Sequence, residues 1–178
     1  MTTLETERLL LRAPVAEDAE ALAPMYADPE VMRYLGEGRT LTPEETERSV
    51  RRMIEGWEAD GFGLFTTVRK EGETVIGRVG LIVWNTETWK TVRADDDGPT
   101  ELEVGYTLGR PFWGRGYATE AAAAARDFAL ERLGARRLIA LIIHGNDASE
   151  NVARKLGFEY EHDIPFGRRQ AQLFALET

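Results

Sequence analysis

The stretch RPFWGRGYATEAAAAARDFALERLG, residues 110–134, decides the fold, because it joins a tight turn to a long helix. Gly114 and Gly116 stand two positions apart in the turn, just before a run of alanines. The segment TELEVGYTL (100–108) precedes the turn, and the apolar segment ARRLIALIIH (135–144) follows the helix. A strand, a glycine turn, a helix and a buried strand in this order predict an α/β fold.

The segments on either side extend this unit into one domain that covers residues 1–178. TLTPEETERSVRRMIEGWEADG (40–61) predicts a helix, because Thr42, Pro43 and Glu45 form a helix-start signal. The stretches 62–70 and 74–84 are rich in β-forming residues and predict a hairpin. The remaining predicted elements are a strand at 7–13, a helix at 16–27, a helix at 145–157 and two strands after it. This order predicts a mixed sheet flanked by helices.

The composition excludes several classes of protein. The chain of 178 residues has no cysteine, which rules out disulfides, thiolate metal sites and a cysteine nucleophile. The net charge of −9 disfavours nucleic acid and anionic membranes as partners and favours cationic ones. The N-terminal sequence MTTLETERLL is acidic where a signal peptide is basic. We expect a cytoplasmic protein, and the two histidines do not predict a metal site.

The glycine turn predicts a phosphate-binding loop, because unpaired N–H groups at a helix start bind anions. The residues that would form this loop are Trp113, Gly114, Arg115, Gly116, Tyr117, Ala118 and Thr119. A turn without a ligand is the alternative. A nucleoside-triphosphatase loop is excluded, since no Gly-Lys-Ser/Thr ending is present. A phosphorylated dinucleotide such as NADPH, and with it an oxidoreductase, stays open because Arg136 and Arg137 follow at the appropriate distance.

Alternation in the strand before the turn gives it one apolar and one polar face. Leu102, Val104, Tyr106 and Leu108 share the apolar face, and Glu101, Glu103, Gly105 and Thr107 share the polar one. Such a strand is half exposed or lines a cleft on its polar side. The first strand of a dinucleotide-binding fold is instead buried on both faces, which argues against the oxidoreductase.

The stretch ELEVGYTLGRPFWGRGYATEA (101–121) resembles the central motif of the GCN5-related N-acetyltransferase (GNAT) superfamily, in its RimJ/RimL-type branch. The pattern Gln/Arg-x-x-Gly-x-Gly/Ala reads here as Trp113-x-x-Gly116-x-Ala118. Residues 5–22 resemble the opening strand and helix of that branch, and NDASENVARKLGFEYE (146–161) resembles its Asn-x-x-Ser…Lys-Leu-Gly-Phe segment. The resemblance implies a single-domain GNAT-like fold, with splayed central strands in a mixed sheet.

The resemblance also implies an acetyl-CoA-dependent enzyme in which a primary amine attacks the thioester directly, with no metal. It places the backbone donor to the carbonyl oxygen between Val104 and Tyr106. It makes Glu103 the base, with Glu101 as alternate, and Asn146 the partner of the pantetheine amides. The family's tyrosine acid is replaced by Ala153, which leaves Ser149 or an unassisted thiolate.

The motifs concern the acetyl donor, so the acceptor amine stays open between a protein N-terminus and a small molecule. The polar segment 85–100 is a candidate cover for the acceptor site, with Trp84 and Trp89 as walls and Asp95–Asp97 attracting cations. A homodimer is as compatible with these features as a monomer. Because of Ala153, a non-catalytic acetyl-CoA sensor is the main alternative to the enzyme.

Overall fold

Nine strands form one mixed sheet in the computed structural model, which describes residues 2–178. The strands in chain order are β1 (Leu4–Glu5), β2 (Leu9–Arg12), β3 (Leu64–Arg69), β4 (Thr74–Asn85), β5 (Lys90–Thr91), β6 (Thr100–Leu108), β7 (Arg137–Ile143), β8 (Glu159–Phe166) and β9 (Arg169–Glu177). The helices are α1 (Asp18–Tyr26), α2 (Pro29–Met32), α3 (Pro43–Asp60), α4 (Tyr117–Glu131) and α5 (Asp147–Lys155). The predicted α/β class is confirmed.

The sheet has the strand order β1-β2-β3-β4-β6-β7-β9-β8, and β5 pairs with the end of β4. Neighbouring strands are antiparallel except for β6 and β7, which run parallel. β6 is paired with β4 along its whole length, from Thr100 to Leu108. Its pairing with β7 is limited to Glu103 opposite Ile139. The two central strands therefore part soon after they meet, as the family resemblance implied.

Helices cover both faces of the sheet. The neighbouring residues Phe65 and Thr66 of β3 point to opposite faces, as side chains of a strand must. The Phe65 ring packs edge-on against Phe128 of α4, with centroids 5.9 Å apart. The Thr66 hydroxyl donates to the carboxylate of Asp18, in α1, at 2.6 Å. The helix after the glycine loop and the first helix of the chain therefore lie on opposite sides.

The local start signals in the sequence act as predicted. Thr42 caps α3, its hydroxyl accepting from the Glu45 N–H while the Glu45 side chain accepts from the Thr42 N–H. Asn146 caps α5 through the Ser149 N–H. The predicted strand at 7–13 is shorter in the structure, because only residues 9–12, which form β2, pair with β3. Within residues 2–178, no helix is both long and apolar enough to span a bilayer.

Candidate active site

A cleft of about 820 Å³ opens where β6 and β7 part. Its walls are β6, the start of α4 and the start of α5, together with β4 and the segment that follows α2. The predicted site residues that line it are Glu103, Val104, Tyr106, Trp113, Gly114, Gly116, Tyr117, Ala118, Thr119, Asn146 and Ser149. The volume is typical of a site for a cofactor-sized molecule. The structure thus brings together residues that lie up to 46 positions apart in the chain.

The glycine loop presents the uncapped start of α4 to this cleft. Gly114 and Gly116 have φ angles of +71° and +80°, in the left-handed region that favours glycine. Gly116 is the residue before the helix, and no side chain caps its first turn. The first helical hydrogen bond runs from the Glu120 N–H to the Gly116 carbonyl. The N–H groups of residues 117–119 are therefore available to an anion.

Arg8 of the N-terminal segment holds the loop from outside the cleft. Its Nη1 donates to the Arg115 carbonyl oxygen at 3.0 Å, and its Nε donates to Glu120 at 2.7 Å. Its guanidinium also lies over the Tyr117 ring, 4.5 Å from the centroid. The Arg115 side chain is exposed and is not among the cleft residues. The contact of Arg115 with a phosphate stays a prediction, and the position of its side chain outside the cleft does not favour that contact.

Glu103 lies at the point where the central strands separate. Its side chain is only 7% exposed. One carboxylate oxygen accepts from the Trp84 Nε1–H at 2.6 Å, and the other accepts from the Leu141 backbone N–H at 3.2 Å. The carboxylate thus bonds to an N–H of β7 beyond the single residue pair that joins the two strands. The predicted base is a buried group at the centre of the cleft, not a solvated strand glutamate.

Burial raises the pKa of Glu103, because the charged carboxylate loses its hydration. The hydrogen bonds from Trp84 and from the Leu141 N–H oppose this effect, as does the positive charge of Arg78. A carboxylate with a raised pKa is a stronger base than an ordinary glutamate. It can still accept a proton at neutral pH.

We expect Trp84→Phe to move the acid limb of the pH–rate profile upward. The phenyl ring can keep the edge contact with Phe166, now 5.3 Å between centroids, but cannot donate to Glu103. Loss of one hydrogen bond to a charged group, about 1.5–3 kcal/mol, corresponds to roughly one to two pH units. Initial rates from pH 5 upward, with Trp89→Phe as the matched control, would measure it. An unmoved acid limb would show that this bond does not set the pKa of the base.

Tyr106 reaches from β6 to α5 on the other face of the strand. Its hydroxyl donates to the Ser149 carbonyl oxygen at 2.7 Å. Burial raises the pKa of Tyr106, and the negative charge of Glu103 acts in the same direction. Ala153, where the family has its tyrosine, belongs to α5 and is fully buried in the core. The Tyr106 hydroxyl is therefore held neutral and already bonded, while the Ser149 side chain lines the cleft.

The segment after α2 closes one side of the cleft. The Tyr34 hydroxyl donates to the Gly145 carbonyl oxygen, at the start of the loop before α5, at 2.8 Å. Arg169 donates to the Arg33 carbonyl at the same distance and fixes the segment to the β8–β9 turn. Tyr34 lines the cleft, and so does Trp84, one of the two tryptophans expected as walls, whereas Trp89 does not.

Trp57 and the acidic run Asp95–Asp97 lie outside the cleft. Trp57 packs in the core against Phe65 and donates to the Leu64 carbonyl. Asp95–Asp97 do not line the cleft; their loop lies beside α3, where the Ala94 N–H donates to Asp60. The expected cover over residues 85–100 is thus partly wrong, because β4 and β5 pair and carry the chain away.

Further charged residues, Lys155 and Arg78 among them, line the cleft although the sequence did not assign them to the site. Lys155, at the end of α5, lines it and not merely the solvent side of its helix. Arg78 of β4 lines it on the same side of the sheet as Glu103. The alternation of β4 would have placed Arg78 on the cleft side only if the pairing of β4 with β6 had been known.

Comparison with known proteins assigns the chain to a family. A sequence model described as the acetyltransferase (GNAT) domain matches residues 8–159. The chain belongs to the GNAT acetyltransferases. It is 32% identical over 162 residues to the uncharacterised N-acetyltransferase p20 of Bacillus licheniformis, covering 90% of this chain and 84% of that one. Membership removes the basis for the NADPH-dependent oxidoreductase.

Solved structures of GNAT proteins share the whole architecture. An acetyltransferase from Agrobacterium tumefaciens superposes with a TM-score of 0.79 at 27% identity, covering 100% of this chain and 95% of that one. RimL, a ribosomal L7/L12 α-N-protein acetyltransferase in complex with coenzyme A, superposes with a TM-score of 0.78 at 18% identity. That likeness covers 99% of this chain and 98% of RimL, and it concerns the fold.

Proposed function

We propose that this GNAT acetyltransferase binds acetyl-CoA in the cleft between β6 and β7 and transfers its acetyl group to a primary amine. One observation carries the proposal. An uncapped helix start in a glycine loop and a buried carboxylate with a raised pKa line the same cleft. The first is suited to hold a phosphorylated donor, and the second is suited to take a proton from an amine.

The residues of the loop fit the donor. The N–H groups of Tyr117, Ala118 and Thr119 would hold its pyrophosphate, and Lys155 lies along the same wall. The Asn146 Oδ1 accepts from the Ser149 N–H, which leaves its amide NH₂ free to donate to a pantetheine amide. When bound, acetyl-CoA would supply the thioester carbon that the amine attacks.

The edge of β6 supplies the electrostatic stabilisation. Beyond Glu103 this strand has no registered pair with β7, so its backbone from Val104 to Tyr106 can bond the pantetheine arm as a further strand would. A backbone N–H in this segment would donate to the carbonyl oxygen as negative charge develops on it. A fixed donor in a buried site commonly contributes about 2.7–4 kcal/mol to such a step.

Glu103 would take the proton of the attacking ammonium, directly or through one water. An alkyl ammonium is mostly protonated at neutral pH, so the nitrogen needs a base before it can attack. Glu103 is bonded on both oxygens, to Trp84 and Leu141, and this fixes its carboxylate at the point where the strands part. Its raised pKa suits this transfer.

The leaving thiolate has no strong acid beside it. Ala153 carries no hydroxyl, and the raised pKa of Tyr106 makes its bonded hydroxyl a poor proton donor. The Ser149 hydroxyl would donate a hydrogen bond to the sulfur as the C–S bond breaks. The second proton, which the nitrogen loses as the amide forms, would reach the thiolate through solvent and release CoA as the thiol. Either a protein N-terminus or a small amine could serve as acceptor in this scheme.

Thermal unfolding of the purified protein with acetyl-CoA, CoA or NADPH tests the donor site. A ligand at one hundred times its dissociation constant stabilises the native state by roughly 2.7 kcal/mol, which appears as a rise of several degrees. We expect acetyl-CoA and CoA to raise the midpoint and NADPH to leave it unchanged. A rise with NADPH alone would overturn the donor assignment.

A further inference from the structure

The cleft contains an arginine whose side chain makes no hydrogen bond and no ion pair within residues 2–178. Arg78 lies in β4 and lines the cleft. Its Nε is buried and makes no hydrogen bond with any group of residues 2–178. Within the same range, no carboxylate lies within ion-pair distance of it. A partly buried guanidinium normally requires such a partner, because its desolvation is costly.

Other partly buried arginines of this protein do have partners. Arg12 makes a bidentate pair with Asp18, at 2.6 and 2.8 Å. Arg137 bonds three glutamates at its strand edge. Arg126 bonds Asp127 and the Leu156 carbonyl. Arg78 differs from them because it lines the open cleft. Its Nε is enclosed by protein, so a ligand in the cleft would pair with the outer part of the guanidinium, which no carboxylate of residues 2–178 neutralises.

The strand register places Arg78 on the same floor as Glu103. Gly80 of β4 lies opposite Gly105 of β6, Ile82 lies opposite Glu103, and Arg78 lies opposite Thr107. The backbone positions of residues 78 and 82 are thus roughly 13 Å apart, at about 3.3 Å per residue. The arginine side chain covers part of this distance, and its charge acts on Glu103.

Ile82 is the side chain that lies on the floor between the two charged groups. A Cβ at Gly105 would lie 3.0 Å from Ile82 Cδ1 and 3.9 Å from the Glu103 carboxyl carbon. Glycine at this position therefore leaves room for the Ile82 side chain, and Ile82 and both charged residues line the open cleft. A small molecule could lie there with one end at Glu103 and the other at Arg78.

The positive charge of Arg78 favours an anion over a neutral group as its ligand. Its guanidinium carbon lies 5.6 Å from the centre of the Tyr26 ring, and the Tyr26 hydroxyl is itself buried without a partner. Thr107, opposite in β6, lines the cleft as well. Glu30, which also lines the cleft, lies 3.8 Å from the Arg33 guanidinium. A single guanidinium fork matches a carboxylate in geometry and charge, whereas phosphate sites generally gather more donors.

We infer that Arg78 binds a carboxylate of the acceptor, so that the acceptor is a small amino acid-like compound with its amine at Glu103. This inference rests on the proposed acetyl transfer and narrows it to one substrate class. It also runs against the net charge of −9, which would favour a purely cationic amine. The charge of Arg78 acts on a bound acceptor at closer range than the net charge of the whole surface, so it decides which acceptor is preferred.

The test compares acceptors that differ only in the carboxylate. Straight-chain amino acids from glycine to aminohexanoate would each be assayed beside their primary amides, by acetyl-CoA-dependent release of CoA. We expect the best acid to exceed its amide in kcat/KM on the order of 100-fold, as for a desolvated charge pair. Arg78→Gln should abolish that preference, and Arg78→Lys should restore part of it.

Arg69→Gln is the matched control, because Arg69 also has a buried, unbonded Nε but does not line the cleft. It should leave the preference intact. If Arg78 only tuned Glu103, the glutamine variant would slow acids and amides alike, and the inference would be wrong. Equal use of acids and amides by the wild-type enzyme would also overturn it. If the protein binds acetyl-CoA but none of the amines causes release of CoA, the proposed transfer itself would be refuted.

Discussion

Replacing Glu103 by glutamine is expected to lower kcat by about 10²- to 10⁴-fold, the usual contribution of a general base. Glutamine keeps the size of the side chain and can still accept from Trp84 at its carbonyl oxygen, but it cannot take a proton. Burial raises the pKa of Glu103, and only its charged form is a base. Wild-type activity should therefore fall as the pH drops through that raised pKa. The variant should lack this limb, while its acetyl-CoA affinity stays near wild type.

Glu101→Gln is the matched control for this experiment. Glu101 lies two residues earlier on the same face of β6, but its carboxylate bonds Arg137 at 2.9 Å and is outside the cleft. Its replacement should leave turnover and the pH profile unchanged. Wild-type turnover in Glu103→Gln across the whole pH range would remove Glu103 as the base.

Replacing Gly116 by valine is expected to weaken acetyl-CoA binding by about 100-fold or more. A Cβ at Gly116 would meet only Arg8 Nη2, at 3.4 Å, so space is not the obstacle. The φ of +80° is the obstacle, since a β-branched residue is strained there. The backbone would leave this conformation and turn the N–H groups of the first turn of α4 away. Losing two charge-assisted hydrogen bonds of about 1.5–3 kcal/mol each accounts for the expected effect.

Gly134→Val provides the control for strain alone. Gly134 has a φ of +69°, follows the same helix and has open space around it, but it lies outside the cleft. Both variants should lose stability by about 1–3 kcal/mol. Titration calorimetry with acetyl-CoA should separate them, because only the Gly116 variant should lose affinity. Equal affinity in the two variants would contradict the phosphate-binding role of the loop.

Local patterns in the sequence were sufficient for the elements that carry the site. The alternation of 100–108 predicted a strand whose polar side lines a cleft, and Glu103 does line it, but residues of the apolar side such as Tyr106 line it as well. The cap residues Thr42 and Asn146 predicted two helix starts. These features depend on neighbours within a few positions, so a single sequence contains them. The glycine loop could be predicted for the same reason, because both glycines adopt the left-handed backbone conformation that a tight turn requires.

Contacts between distant segments could not be predicted in this way. Arg8 bonds Glu120 across 112 positions, and Tyr34 bonds Gly145 across 111. The role of Arg78 depends on the register of β4 against β6, which its own alternation does not fix. The burial of Glu103 similarly depends on Trp84 and Leu141, each on a different strand. The splay of β6 and β7 came from the family resemblance and not from the residues.

The most direct test of the account is amine-dependent release of CoA from acetyl-CoA, with the acetylated amine identified by mass. The account predicts release that requires a primary amine, yields one acetyl group on that amine, and is nearly lost in Glu103→Gln. Binding of acetyl-CoA without release of CoA, over a panel of amino acids, small amines and peptide N-termini, would contradict it. The protein would then be an acetyl-CoA sensor built on an acetyltransferase fold.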